Sequence, residues 1–277
     1  MSQPMVVIGK ASNGATDDVE MGGDAGLEEN GGEGESGGLD QIEPDVQETP
    51  MFIDYLKSSI IELAIGEGEE QTILHAHQGL LVQSPFLANL ITNSDSSSSP
   101  RRITLNEDVP ATASLLEYLY KKDYFPTLNT PSALEHDPSI PSADDTGIAL
   151  LRHARIYTLA KKLGLPGLSA LAHRKIHLVE STARGEIAYA RYVYAHTTAE
   201  DRDIRRPVAQ FWATRSHVLR HEAEHDFRDT CLNFPQFGFD VLSMVLDAQE
   251  RRSAKLEPSS GSTGPGSARK RARMSQV

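Results

Sequence analysis

The chain has 277 residues, 39% of them hydrophobic, a formal net charge of −12 and one cysteine, Cys231, which excludes an intramolecular disulfide and a thiolate-rich zinc site. Charge is segregated: residues 1–50 hold 12 acids and one lysine, residues 251–277 hold seven bases and one acid, and the 200 residues between carry −7, so direct nucleic-acid binding by the core is not expected. No run approaches the roughly 18 apolar residues of a membrane span, and no apolar segment follows a basic start as in a secretory signal, so the expectation is a soluble intracellular protein of the nucleus and/or cytoplasm.

Residues 1–50 are rich in Gly, Glu, Asp and Ser. A segment of that composition cannot bury enough apolar surface to offset its ordering entropy, so a disordered acidic tail is expected. A disordered basic tail is expected over 253–277, where Pro, Gly and Ser precede Arg269, Lys270, Arg271 and Arg273. The folded part lies between about 51 and 252. Its first elements read as a β-hairpin: an apolar run over 60–65, a Gly-rich turn, and a loosely alternating stretch over 71–77. Helical spacing takes over at Leu80, Leu81, Phe86, Leu87, Leu90 and Ile91, with Ser84 as N-cap and Pro85 at the first helical position. A Ser-rich loop leads to a short strand at 101–105, and Pro110 opens a helix with Leu115, Leu116, Leu119 and Tyr120 on one side.

Four prolines over 126–146 predict a long mobile loop. A helix follows from about Ile148 to Leu163, stopped by Gly164, and another from Pro166 to about Leu178. The remainder reads as helices over 181–196, 202–219, 221–231 and 236–252. Ile187, Tyr189, Tyr192, Val193 and Tyr194 belong to a core helix there. Phe211, Trp212, Phe234, Phe237 and Phe239 supply packing, with a groove for a partner helix as the alternative.

The order of these elements, and the residues in them, resemble the BTB/POZ family over about residues 52–178. The carriers are His77 with Leu80-Leu81 and Ser84-Pro85-Phe86, then Ile103-Thr104-Leu105 with Asn106-Glu107-Asp108. Leu115 to Tyr120 and the Ala154–Leu165 segment, like the Ala-x-x-Tyr-x-Leu-Ala-x-Lys helix of fungal-type members, complete the set. The resemblance implies an α+β class: a BTB/POZ domain over 51–178, with a small three-stranded sheet flanked by a helical cluster, then an all-α extension over 179–252. It further implies a non-enzymatic protein-binding module without cofactor or metal. Such a module homodimerises through its N-terminal portion and first helix, here around Met51, Phe52, Leu56, Leu80 and Leu81. Leu116 and Tyr120 join the candidate interaction residues. The alternative is a substrate adaptor that docks a cullin scaffold of a ubiquitin ligase through the 109–124 helix and the loop after it, although the 126–146 insertion sits where it could obstruct docking.

One string has a catalytic pattern. His221-Glu222-Ala223-Glu224-His225 matches H-E-x-x-H, in which histidines four apart on one helical face hold zinc and the glutamate acts as base. Charged neighbours crowd it, and Arg228 and Cys231 stand where an extended motif needs Gly and His, so a solvated helix or turn is expected and a zinc hydrolase is the remote alternative. His217, His221 and His225 also offer adventitious metal binding. His75 and His77 read as one surface and one packed or capping histidine. The 269–273 basic cluster is a candidate nuclear-import signal.

Overall fold

The computed structural model describes residues 51–68, 71–94 and 100–256. The expected acidic tail lies outside the described residues, as does the basic tail from 257 onward; residues 253–256 instead continue the last helix. The chain divides into two compact units. One runs through Asp137 and resumes over Arg155–Glu180; the other takes Pro138–Ala154 and the chain from Ser181.

The first unit begins with a helix that sequence reading did not assign, α1 (Phe52–Leu56), because five residues are too few for a hydrophobic period. Strand β1 (Ile60–Ile65) pairs antiparallel with β2 (Thr72–His77), from Ile60 opposite His77 to Ile65 opposite Thr72. After α2 (Gln78–Leu81) and α3 (Pro85–Asn93), β3 (Arg101–Leu105) joins the other edge of β1 in parallel. The strand order is therefore β2-β1-β3. The central position of β1 accounts for its near-continuous apolar run: Ile61, Leu63, Ala64 and Ile65 are all buried. Helix α4 (Val109–Lys121) starts at the N-cap Asp108, whose carboxylate accepts from the Ala111 N–H at 3.0 Å.

Helix α5 (Ile148–Lys162) ends as its glycine predicts. Gly164 has φ +69°, the Leu165 N–H reaches the Ala160 carbonyl at 2.9 Å, and the Gly164 N–H reaches Lys161 at 3.2 Å, the paired bonds of a Schellman end. Ser84 ties this end to the start of α3. Fully buried, it accepts from the Leu87 N–H at 3.2 Å and donates its hydroxyl to the Leu163 carbonyl at 2.6 Å. One side chain thus satisfies an orphan donor of one helix and an orphan acceptor of another.

The proline-rich insertion is more ordered than expected. Its first part forms a two-stranded ladder, β4 (Leu128–Thr130) with β5 (Ala133–Leu134), pinned by α6 (Pro166–Ile176). The fully buried Lys175 ammonium donates to the Asp123 carboxylate, the Tyr124 carbonyl and, at 2.8 Å, the Pro126 carbonyl, and lies 3.8 Å from the Tyr124 ring centroid. Burial alone would raise the Asp123 carboxyl. Hydrogen bonds from Lys175 and from the Leu128 and Tyr124 N–H groups instead hold it below the usual carboxylate range. The second part of the insertion groups with the other unit, which corrects the continuous 51–178 domain of the sequence reading. The Asp144 carboxylate accepts from the Ala149 N–H at 2.9 Å, its carbonyl accepts from the Thr182 hydroxyl at 3.2 Å, and a Cβ on Gly185 would lie 2.7 Å from that carbonyl.

The second unit otherwise consists of α7 (Ala183–His196), α8 (Arg202–Glu222), α9 (Glu224–Asn233) and α10 (Pro235–Leu256). Trp212 and Phe237, both fully buried, centre its core, with Trp212 5.2 Å from Phe227 and Tyr194 5.3 Å from Phe237 between ring centroids. Ile187, Tyr189, Val193 and Tyr194 are buried on α7, so the core-helix reading holds, whereas Phe239 is exposed.

Two predictions follow from these buried charges. Lys175→Met leaves two buried carbonyls and Asp123 without their cation, and should destabilise the first unit by about 3–5 kcal/mol, read by urea denaturation; a loss below about 1 kcal/mol would rule out an organising role for the ammonium. Burial raises the Glu186 carboxyl from 4.5 to about 7, against opposing help from the Ser181 hydroxyl and Arg215. The stability its protonated form confers is complete below about pH 4.5 and is lost as pH rises through about 7. Relative to wild type, Glu186→Gln should therefore gain up to about 3 kcal/mol between pH 4.5 and pH 8. Melting curves at stepped pH check this, and a difference that stays flat across the range contradicts it.

A candidate protein-interaction face

Helix α1 is held by polar contacts at its two ends. The Met51 N–H donates to the Asp54 carboxylate at 3.0 Å, closing the first turn. At the other end the Ser58 hydroxyl donates to the Tyr55 carbonyl at 2.6 Å and accepts from the Gly79 N–H at 2.8 Å, while the Gln78 N–H reaches the Ser59 carbonyl at 2.8 Å. These bonds seat α1 against α2. The seat requires glycine: a Cβ on Gly79 would lie 3.1 Å from Ser58 Oγ and 3.2 Å from the Tyr55 Cα.

A five-residue helix is far below the length at which helices persist alone in water, so α1 exists because α2 anchors it. Yet α1 buries none of its residues. Met51 is 68% exposed, Phe52 50%, Ile53 47% and Leu56 38%, and Ile60 at the start of β1 is 41% exposed. Four apolar side chains within six residues, displayed on an anchored helix, form the kind of surface that marks an association site.

The other sequence-derived interaction residues lie elsewhere. Leu80 and Leu81 are completely buried and Leu116 nearly so, which corrects their assignment to an interaction face: they are core. Tyr120 is half-buried, and its hydroxyl accepts from the His77 N–H at 3.1 Å and lies 2.7 Å from His77 Nδ1. It ties α4 to the end of β2. His77 is accordingly a packed residue at the N-cap of α2, while His75 is an exposed histidine 3.7 Å from the Glu62 carboxylate, the division into one packed and one surface histidine that the sequence suggested. Ile53 is the residue that sequence reading passed over. Its signal was the apolar cluster 51–53 beside Leu56, which has no period to display in so short an element.

The H-E-x-x-H string does not form one helical face. Helix α8 ends at Glu222, the buried Ala223 adopts φ −135° and ψ 40°, and α9 begins at Glu224. The break places His221 and His225 on separate helices, and His225, 86% exposed, faces Asp229 at 3.4 Å. Among the described residues no group of three or more His, Cys, Asp or Glu is placed to hold a metal ion, and no helix is long and apolar enough to cross a membrane. Burial raises the Cys231 thiol, which disfavours the thiolate. The basic cluster Arg269, Lys270, Arg271 and Arg273 lies outside the described residues.

No protein-family model matches the chain, and no curated protein matches it.

The Gly79 seat is testable. Gly79→Val should release α1 while the sheet remains, giving fast amide exchange across residues 51–58 with protection retained in β1. Unchanged protection at 51–58 would contradict the docking.

Proposed function

We propose that this chain is a non-enzymatic protein-interaction module of BTB/POZ type that self-associates through α1. The observation that carries the reading is the anchored helix whose apolar side chains Met51, Phe52, Ile53 and Leu56 are all outside and none inside. An isolated helix gains stability by burying an apolar stripe; one that is pinned by backbone and hydroxyl contacts and turns its stripe outward is built to bury it against another molecule. The element order supports the family reading: a hairpin, two short helices, a third strand parallel to the first, then α4 and the later helix pair α5 and α6. That is the sequence of elements the motif resemblance implies.

A second copy is the simplest occupant, because a self-complementary apolar patch associates isologously and closes at the dimer. The cullin-adaptor reading would use α4 and the chain after it. There the stretch from Asp123 to Pro126 is immobilised by Lys175, and a hairpin follows at Leu128–Leu134. A docking protein would meet a formed surface rather than a loop that adapts to it.

The full-length protein should sediment as a dimer at micromolar concentration, and Phe52→Asp with Leu56→Asp should convert it to a folded monomer. A wild-type monomer across that range would overturn self-association. Stoichiometric recovery of a cullin scaffold with both the wild type and the double variant would shift the interaction to α4.

A further inference from the structure

We infer that His173 and His177 form a two-histidine chelate for a borderline divalent metal ion, Zn2+ or a neighbour in the first transition row, on the outer side of α6. The two imidazoles stand four residues apart, one on the last turn of α6 and one at its C-cap. Their Nε2 atoms converge to 3.3 Å, with the rings 4.7 Å apart between centroids and nearly perpendicular at 85°. With metal–nitrogen bonds of about 2.0–2.1 Å, two nitrogens 3.3 Å apart subtend an angle of about 104–111° at a shared ion. That is close to the tetrahedral angle, and an ion there takes the place of the hydrogen bond that the two rings otherwise share.

The orientation is imposed from within the unit. Lys175 turns inward to its buried acceptors, and residues two positions before and after it stand about 200° around the helix from it. His177 is exposed and His173 half-buried beside the Tyr157 ring, 6.3 Å away between centroids. Two imidazoles select borderline ions over Mg2+ and Ca2+, which prefer oxygen. Because no third His, Cys, Asp or Glu stands in a metal-binding group among the described residues, water fills the remaining positions. The site is open and exchangeable rather than structural.

The site is independent of the self-association reading, and its test uses the full-length protein without a histidine tag. Zn2+ titrated by calorimetry should show a saturable site, absent with Mg2+, and Zn2+ should raise the melting temperature of the protein through linkage. His177→Ala, at an exposed position, should weaken the Zn2+ affinity at least about tenfold while the circular dichroism spectrum and the metal-free melting temperature stay unchanged. His173→Gln should do the same. Absence of saturable Zn2+ binding, or binding that survives both substitutions and so belongs to His217, His221 or another surface histidine, would falsify the assignment.

Discussion

The geometry of the first unit depends on one buried ammonium. Lys175 has no exposed surface, so its charge had to be matched inside the protein, and it is matched by a carboxylate, two backbone carbonyls and the face of Tyr124. An unmatched buried charge is among the costliest features a fold can carry, so these partners constrain one another strongly. The constraint acts in two directions. Outward along the chain, it fixes the path from Asp123 through Pro126 and thereby the base of the β4–β5 hairpin. Inward on α6, it sets the rotation of the helix, and that rotation turns His173 and His177 to the opposite side.

Two further junctions of the first unit work through groups that a helix leaves unsatisfied at its ends, and the second of them seats the candidate interaction face. Ser84 serves the N-terminus of α3 and the C-terminus of α5 with a single hydroxyl. Ser58 serves α1 and α2 similarly, with Gly79 admitting the close approach. The result is an anchored α1 whose side chains Phe52, Ile53 and Leu56 all stay exposed, and the proposed self-association rests on that arrangement. The second unit is organised differently, around Trp212 and Phe237, and carries its own buried carboxyl at Glu186.

The break between α8 and α9 shows how a sequence motif and a local conformation part company. H-E-x-x-H states only a spacing, and the spacing becomes chemistry only on a continuous helix. Here the chain turns at Ala223, which is buried, so that Phe227 can pack on Trp212 at 5.2 Å between centroids. Core packing overrides the local helical preference, and the two histidines separate. His173 and His177 have the same four-residue spacing, no motif around them, and converging nitrogens.

What the sequence by itself determined was every element with strong local chemistry. The hairpin, the Ser84-Pro85 helix start, the strand at Arg101–Leu105, the Gly164 stop and all four C-terminal helices were legible, because caps, glycines with φ above zero and helical or alternating periods act within a few residues. Only the tertiary structure decided the rest. Leu80, Leu81 and Leu116 are as apolar as Phe52 and Leu56, and composition cannot say which side of a packed unit a leucine faces; the packing of the folded unit does. The five residues of α1 have no period, so their helix exists only on α2. The membership of residues 138–154 in the second unit turns on contacts between Asp144 and Thr182, 38 positions apart. The inward turn of Lys175, a residue that composition would place on the surface, depends on acceptors about fifty residues earlier in the chain. Long-range satisfaction of buried polar groups has no local signature, and that is why it is invisible until the chain is folded.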